Sequence, residues 1–554
     1  MQLAFLDWAV IVGYFVIITA IGLIAGARVR KTGEYFLGQR KFGPWLMIGQ
    51  SFGVGTHAEM PVSLAGATYT SGASAIWFQW KNLFITPFYW LMAPIFRRIR
   101  RTTMAEFTED RYGSWMGGIY IVFATCYLII NTGSMLKGAG KVISQATGGD
   151  VGVNEIVVAM TVLFILYSFV GGLVAAAWTD LFQSVLIIVL SFMLIPLGWS
   201  LVGGLAGMHA SLEPHYFSLA TPSGIGPWAI AMLTVNGLIG IMAMPHQIAA
   251  IGTGKDERTC RVGMFCGNMV KRVCTVGWML VGLIVAAVVA QGHAGAATLG
   301  DPENAFGFAC RLLLGPGALG LMIAAILAAN MSTCSAFLVD SGALFTEGLY
   351  RRHIAPGRPD RHYLWVGRVS GVAVTMLGVV YAMYLVESVL YSFLLTETLA
   401  TFIGISVLGG IVWRRANRWG ALASIVGALV TNFALYAVTG ERLDHWDPNV
   451  FLAALGVGTA LLVGVSLATR PEPATDINAF YRRLETSSDG NRDMDAKAAG
   501  SDPLLLVDIL HLGRRKRGGF WHTYREDLGG FTIGWVVVIV LVIATGLMLR
   551  IGGS

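Results

Sequence analysis

Long apolar stretches recur along the chain and are separated by short polar connections. Each stretch is long enough for a helix of about 20 residues, which is the length that crosses the hydrocarbon core of a bilayer. The first stretch follows no basic region and contains no small-residue cleavage site, so we expect a retained helix and not a signal peptide. The pattern predicts an all-α integral membrane protein with about fourteen transmembrane helices. They are placed near residues 8–26, 45–70, 74–95, 117–145, 153–173, 178–202, 226–250, 263–291, 316–346, 364–386, 389–412, 419–440, 450–468 and 531–549.

The connections between the predicted helices alternate in their content of lysine and arginine. Basic residues crowd the connections at 28–41, 97–101, 255–261, 351–361 and 414–418, whereas those at 146–152 and 203–225 contain neither residue type. Because lysine and arginine concentrate in cytoplasmic loops, the first group is predicted to be cytoplasmic and both chain termini to be outside. We therefore expect a transporter domain at 1–470, a cytoplasmic segment at 471–530 and a C-terminal transmembrane helix at 531–554.

Composition agrees with a membrane protein and argues against several other classes. The 554 residues are 55% hydrophobic and 13% charged, and the formal net charge is +7, whereas soluble domains are about 25% charged. The positive charge lies in the connections between helices. It therefore indicates how the helices are oriented in the membrane and does not indicate nucleic-acid binding. The basic run from Arg514 to Arg517 is expected to attract anionic lipid headgroups. The six cysteines form no close pair of the kind that binds zinc, and they are interpreted as packing residues.

The second predicted helix contains polar and helix-breaking residues at membrane depth. Residues 51–61 include Gly53, Gly55, His57, Glu59 and Pro61 within an otherwise apolar stretch. Unwinding here would free backbone carbonyls, which suit a small cation such as sodium where they line a cavity. The alternative interpretation is an ordinary kinked helix.

Two adjacent hydroxyl residues, Ser332 and Thr333, interrupt a run of small residues in the ninth predicted helix. Their oxygens would complete a cation site. By spacing alone the pair indicates little, because Ser and Thr commonly bond back to the preceding helical turn.

Charged and polar side chains inside predicted helices mark candidate substrate positions. They are His57, Glu59, Gln79 and Lys81. Two interpretations of Lys81 stay open. It would either pair with Glu59 or face the cavity, where its ammonium would recognise a carboxylate-bearing solute with His57 as a further donor.

Four ordered motifs resemble the sodium:solute symporter family between about residues 5 and 470. The segment Tyr35-Phe-Leu-Gly-Gln-Arg40 is similar to the family's opening loop, and residues 98–113 are similar to its loop after the third helix. Residues 171–183, which contain Trp178-Thr-Asp180, resemble a characteristic family segment. Residues 328–335 resemble another, together with Leu344-Phe-Thr346 and Tyr350-Arg-Arg352.

The resemblance implies two inverted five-helix repeats, at about 45–202 and 226–412, with one helix before them and three after. It also implies a sodium site between the broken first repeat helix and the second repeat's third helix. The matching positions are Gly53, Thr56, Ala329, Ser332 and Thr333, and Asp180 matches an acidic residue toward the cytoplasmic exit, where it would assist ion release or make a structural hydrogen bond. Gly55 stands where several family members have a polar side chain between the carbonyl donors, and the positions that contact sugars do not match.

These expectations describe a symporter that carries sodium and a small organic solute by alternating access. A proton-coupled symporter using His57, Glu59 or Glu397 is one alternative, and a transporter-like sensor is another. No nucleotide-binding loop, zinc-protease motif or nucleophile elbow occurs, so an enzyme is not expected.

Overall fold

The computed structural model describes residues 3–27, 29, 31–221, 225–293, 299–439, 446–488, 503–510 and 519–553. Within these residues the regular structure is helical, and extended backbone pairs at a single bridge between Phe42 and Gly254. In this part of the chain, ten helices are long and apolar enough to cross a membrane. The basic run from Arg514 to Arg517 lies outside the described residues, so its binding of anionic lipid stays a prediction.

The helices of the first half are, in chain order, α1 Phe5–Gly26, α2 Thr32–Leu37, α3 Pro44–Val54, α4 Glu59–Ser71, α5 Trp77–Trp80, α6 Thr86–Arg98, α7 Met104–Tyr112, α8 Ser114–Ala146, α9 Val153–Phe192, α10 Leu194–Val202 and α11 Gly204–Ser211. Those of the second half are α12 Pro227–Gly240, α13 Gln247–Ile251, α14 Glu257–Ala290, α15 Ala305–Leu313, α16 Ala318–Phe345, α17 Asp360–Tyr384, α18 Val389–Val412, α19 Arg418–Thr439, α20 Pro448–Ala468, α21 Ala474–Glu485, α22 Leu505–Asp508, α23 Phe520–Thr523 and α24 Arg525–Arg550.

Two of the predicted crossings are interrupted helices. The crossing predicted at 45–70 consists of α3 and α4 with a break at 55–58, where glycines and polar residues had predicted unwinding. The crossing predicted at 226–250 consists of α12 and α13 with a break at 241–246. This break was not predicted, although Gly240 precedes it and Pro245 lies within it. The number of fourteen transmembrane helices therefore stays a prediction. Each half of an interrupted helix is too short to cross the membrane by itself, so helix length alone does not count these crossings.

The predicted helices at 153–173 and 178–202 join almost without a gap in α9 and α10. The backbone departs from helical geometry inside α9 at Gly172, where φ is 55° and ψ is −149°. A Cβ at this position would lie 2.7 Å from the carbonyl oxygen of Tyr35, so only glycine fits both the conformation and the contact. This bend directs the second part of α9, which carries Asp180, along α3 and α16.

Burial separates a central helix from peripheral ones. In α16, every residue of the most apolar 18-residue stretch is buried. In α24, 22% of the residues in the equivalent stretch are buried. The exposed side chains of α24 are large and apolar, such as Ile539, Val540 and Leu547, as expected of a surface that faces lipid. Around α16 pack α1, α8, α9 and α17, and α3 packs between α9 and α14.

The segment after residue 470, expected to be cytoplasmic, is partly folded against the helix bundle. Tyr481 of α21 donates a hydrogen bond of 2.8 Å to the carbonyl oxygen of Gly410, and Arg483 pairs with Asp110 at 2.5 Å. The buried ion pair between Arg98 and Glu257 also contacts this segment, because Arg98 donates to the carbonyl oxygen of Leu484. The segment is thus anchored on α7, α14 and α18 at one end of the bundle.

Candidate functional site

Oxygen atoms from three helices converge where α3 ends. The hydroxyl of Thr333, in the middle of α16, donates to the carbonyl oxygens of Gly53 and Val54 at 3.3 Å each. These carbonyls belong to the last turn of α3, where the helix no longer supplies the N–H donors four residues further on. The oxygen of Gly53 also accepts from the backbone N–H of Thr56 at 3.1 Å. The first interrupted helix and α16 are therefore joined at the position that the sequence predicted.

A buried carboxyl group completes this cluster. Ser332 donates to Oδ1 of Asp180, on α9, over 2.5 Å, and both side chains are fully buried. The second carboxyl oxygen of Asp180 and the hydroxyl of Thr56 have no hydrogen-bond partner among the described residues. Buried polar atoms normally have partners, so the two oxygens are suited to an additional ligand.

Of the predicted sodium residues, Gly53, Ser332 and Thr333 are thus brought together, and Asp180 lies beside them. Thr56 joins them through its backbone N–H, which donates to the carbonyl oxygen of Gly53 at 3.1 Å. Ala329 is buried one helical turn before Thr333 on α16, on the face that includes Ser332 and Thr333. Carbonyl, hydroxyl and carboxyl oxygens are the donors that a hard cation takes. We call the oxygens of Gly53, Val54, Thr56, Asp180, Ser332 and Thr333 the oxygen cluster.

A small cavity of about 60 Å³ lies beside the first helix break. It is bounded by both interrupted helices and by α14 and α18. Its lining comprises Ser51, Val54, Gly55, His57, Met60, Asn82, Tyr89, Tyr127, Asn131, Ile241, Met244, His246, Gln247, Ala250, Ile251, Met264, Asn268, Lys271, Arg272, Phe337, Phe393 and Glu397. Val54 belongs to both this lining and the oxygen cluster, so the two features adjoin.

Only part of the predicted substrate set lines this cavity. Gly55 and His57 do, whereas Glu59, Gln79 and Lys81 are not among the described lining residues. Glu59 is in close contact with Nδ1 of His57.

Of the two interpretations of Lys81, the pairing with Glu59 is wrong, and Lys81 is not among the described residues that line the cavity. Lys81 instead lies 3.1 Å from Oε2 of Glu397 on α18 and 4.6 Å from the ring centre of Phe393. Packing decides the partner of Lys81, because α18 brings Glu397 next to it. Glu59 instead contacts His57, at the first helix break.

Two cationic residues of the lining were missed from sequence. Lys271 donates to the carbonyl oxygen of Gly55, across the first break. Its neighbour Arg272 donates to the carbonyl oxygen of Gln79 at 3.1 Å. The signal was present, because both residues lie within a predicted crossing, where a charged side chain is a functional candidate by default.

A cavity between interrupted helices, inside a bundle of membrane-length helices, is typical of a secondary transporter. The chain matches the sodium:solute symporter family over residues 35–427, and it belongs to that family. The coupling ion of the family is sodium, and its members are transporters and not enzymes. The sequence-based expectations of family, sodium coupling and membrane insertion are confirmed.

Individual relatives are proline transporters. The high-affinity proline transporter PutP of Bacillus subtilis is 28% identical over 473 residues, which cover 79% of this chain and 94% of the relative. The sodium/proline symporter of Haemophilus influenzae is 25% identical, with 83% and 94% covered. A solved Na⁺-coupled sialic acid symporter, in a substrate-bound outward-open state, superposes with a TM-score of 0.71 at 18% identity and covers 84% of this chain and 99% of its own. This similarity establishes the transporter fold.

Proposed function

We propose that the protein carries a small, carboxylate-bearing solute across the membrane together with sodium, by alternating access. The observation that supports this most is the oxygen cluster, in which Thr333 binds both carbonyls at the α3 end and Thr56 retains an unpartnered hydroxyl. Sodium would bind there, beside the cavity. Asp180 would bind the ion or help to release it, because its carboxyl group is part of the oxygen cluster and accepts a hydrogen bond from Ser332.

Solute would bind in the adjoining cavity, where Gly55 and His57 meet Lys271 and Arg272. Cationic side chains at membrane depth are costly unless an anion accompanies them, which favours a carboxylate. Sodium and solute would stabilise each other's binding because ion binding at the end of α3 orders the same break that lines the cavity.

We also propose the inverted-repeat arrangement, at about 45–202 and 226–412. It is supported by the two interrupted helices, α3/α4 and α12/α13, since each opens one of the proposed repeats. The placement of both termini outside stays a prediction.

Thermal stability of the purified protein would test the proposal. Amino acids, carboxylates, sugars and nucleosides are each screened in sodium and in potassium. A ligand at about 100 times its dissociation constant stabilises the folded state by about 2.7 kcal/mol, and we expect this shift from a carboxylate-bearing solute in sodium only. The double variant Ser332→Ala/Thr333→Ala should lose it.

Ser341→Ala is the matched control, since Ser341 lies on the same helix and its hydroxyl bonds to the carbonyl oxygen of Phe337 at 2.7 Å. It should respond to sodium as the wild type does. Stabilisation that ignores sodium but follows pH would overturn the proposal in favour of proton coupling through His57 or Glu59. Solute binding without sodium-driven uptake into proteoliposomes would indicate a sensor.

A further inference from the structure

The cavity lining carries more cationic than anionic side chains. Lys271 and Arg272 are both buried, and neither forms an ion pair with a carboxylate among the described residues. The lining includes one carboxylate, Glu397, which is already paired with Lys81 at 3.1 Å. Within the described structure, the cavity is therefore short of negative charge.

Among the described residues, Lys271 and Arg272 donate hydrogen bonds to neutral oxygens. The carbonyl oxygen of Gly55 accepts from Lys271, and Arg272 takes the carbonyl oxygen of Gln79 and, at 3.5 Å, the side-chain oxygen of Asn268. The side-chain oxygen of Asn82 is an unpartnered acceptor that also lines the cavity. A neutral acceptor of this kind suits a hydroxyl group, but it would not compensate the buried charge of an ammonium.

An amino acid would therefore meet two unequal environments in this cavity. Its carboxylate would neutralise the guanidinium of Arg272, which stays charged at any physiological pH. Its ammonium would lie within the same small volume of about 60 Å³ and face cations of its own sign. Like charges in a desolvated site are strongly unfavourable.

We infer that the solute is a small organic acid of net negative charge without an amino group, whose carboxylate binds Lys271 and Arg272. This inference rests on the proposed function and narrows its substrate class. A cavity of about 60 Å³ has room for only a few water-sized groups, which limits the acid to a short or compact skeleton in this conformation. A hydroxyl on the acid would donate to the side-chain oxygen of Asn82.

Pairs of solutes that differ only at the amino group provide the test. Proline is compared with tetrahydrofuran-2-carboxylate, and alanine with lactate, as unlabelled competitors and labelled substrates in proteoliposomes with an inward sodium gradient. Tetrahydrofuran-2-carboxylate and lactate carry an oxygen in place of the amino nitrogen, and we call them the oxygen acids. We expect each oxygen acid to be taken up at least tenfold more efficiently than its amino counterpart. Equal or better uptake of proline or alanine would overturn the inference.

Substitution of the cationic residues links this preference to the cavity. Lys271→Met should lower sodium-driven uptake of the preferred acid at least tenfold, and Lys271→Arg should retain the preference for acid over amino acid. Lys137→Met is the matched control because Lys137 is half-buried in α8 and does not line the cavity. The melting temperature of each variant without solute, and its shift with sodium, show whether a variant that fails in uptake has retained its fold.

The outcomes separate this inference from the proposed function. Sodium-driven uptake of an amino acid or an uncharged solute, with no response to the oxygen acids, would overturn the inference and leave sodium symport intact. Uptake of the acids that is indifferent to sodium would support the substrate class but contradict the coupling. An absence of binding and uptake for every solute tested would overturn both.

Discussion

A methyl group added to Gly53 is expected to weaken sodium binding without unfolding the protein. Its Cβ would lie 2.7 Å from Oγ of Ser332 and 3.2 Å from Cβ of Asp180. The first distance is about 0.7 Å shorter than the 3.4 Å at which ordinary van der Waals contact begins. Gly53→Ala therefore forces the oxygen cluster apart at its centre.

The magnitude follows from how firmly Ser332 is held. Its hydroxyl donates to Asp180 at 2.5 Å, so it cannot rotate away from the new methyl group without losing that hydrogen bond. Overpacking of a well-packed site costs about 1–3 kcal/mol. If the strain falls mainly on the ion-bound arrangement, the apparent sodium affinity should drop about 5- to 150-fold.

The assay is the sodium concentration that gives half-maximal uptake of the transported solute, measured with the thermal shift caused by sodium. Gly118→Ala is the matched control, because Gly118 also lies in a helix and a Cβ there meets nothing within 4 Å. It should be neutral or slightly stabilising. A wild-type sodium response from Gly53→Ala, with the same fold, would refute the placement of sodium at this cluster.

The remaining predictions concern two ion pairs outside the oxygen cluster. Glu397→Gln leaves Lys81 fully buried without its anion and should cost about 3–5 kcal/mol of unfolding free energy, read as a fall in melting temperature in detergent. Adding Lys81→Met should restore most of that loss, and an equally unstable double variant would contradict the pairing. In the connection after α20, burial would raise the pKa of Glu472, but hydrogen bonds and the charge of Arg418 outweigh it and hold the pKa below its usual value of 4.5. Stability from such a carboxyl is present above 4.5 and is lost as pH falls through the lower folded value. Glu472→Gln should therefore reduce the fall of the melting temperature at acid pH. The effect should be less than about 1 kcal/mol, because Arg418 is 45% exposed. Parallel curves of melting temperature against pH for wild type and variant, from pH 7 to 3, would disprove the linkage.

The local pattern of residues was enough to predict the class of protein and the first helix break, which bounds the candidate site. Apolar stretches of membrane length predict crossings because lipid offers backbone groups no hydrogen-bond partners. The glycines and polar residues at 51–61 indicated the first helix break. Glycine weakens a helix, and polar side chains are costly at membrane depth, so neither is expected in a continuous apolar helix. Together with the family motifs, they placed Gly53 and Thr333 in one cluster.

The sequence pattern was weaker where interrupted helices are built from apolar residues. The break between α12 and α13 begins with Ile241, Met242, Ala243 and Met244, and only Gly240 before them and Pro245 and His246 after them distinguish it from a continuous apolar helix. Apolar residues are compatible with both structures, so hydropathy does not separate them. The backbone there is accommodated by neighbouring helices, as in the hydrogen bond from Tyr120 to the carbonyl oxygen of Ala243 at 2.5 Å.

Tertiary structure alone decided which charged residues meet. The sequence shows that Lys81 needs a partner, because a charge in a crossing is costly. It does not show whether that partner is Glu59, in the adjacent predicted helix, or Glu397, more than 300 positions further along the chain. Likewise, Lys271 reaches the carbonyl oxygen of Gly55 only because α14 packs against α3. The cost of burying a charge is local and can be read from one segment, whereas its compensation depends on how distant helices pack.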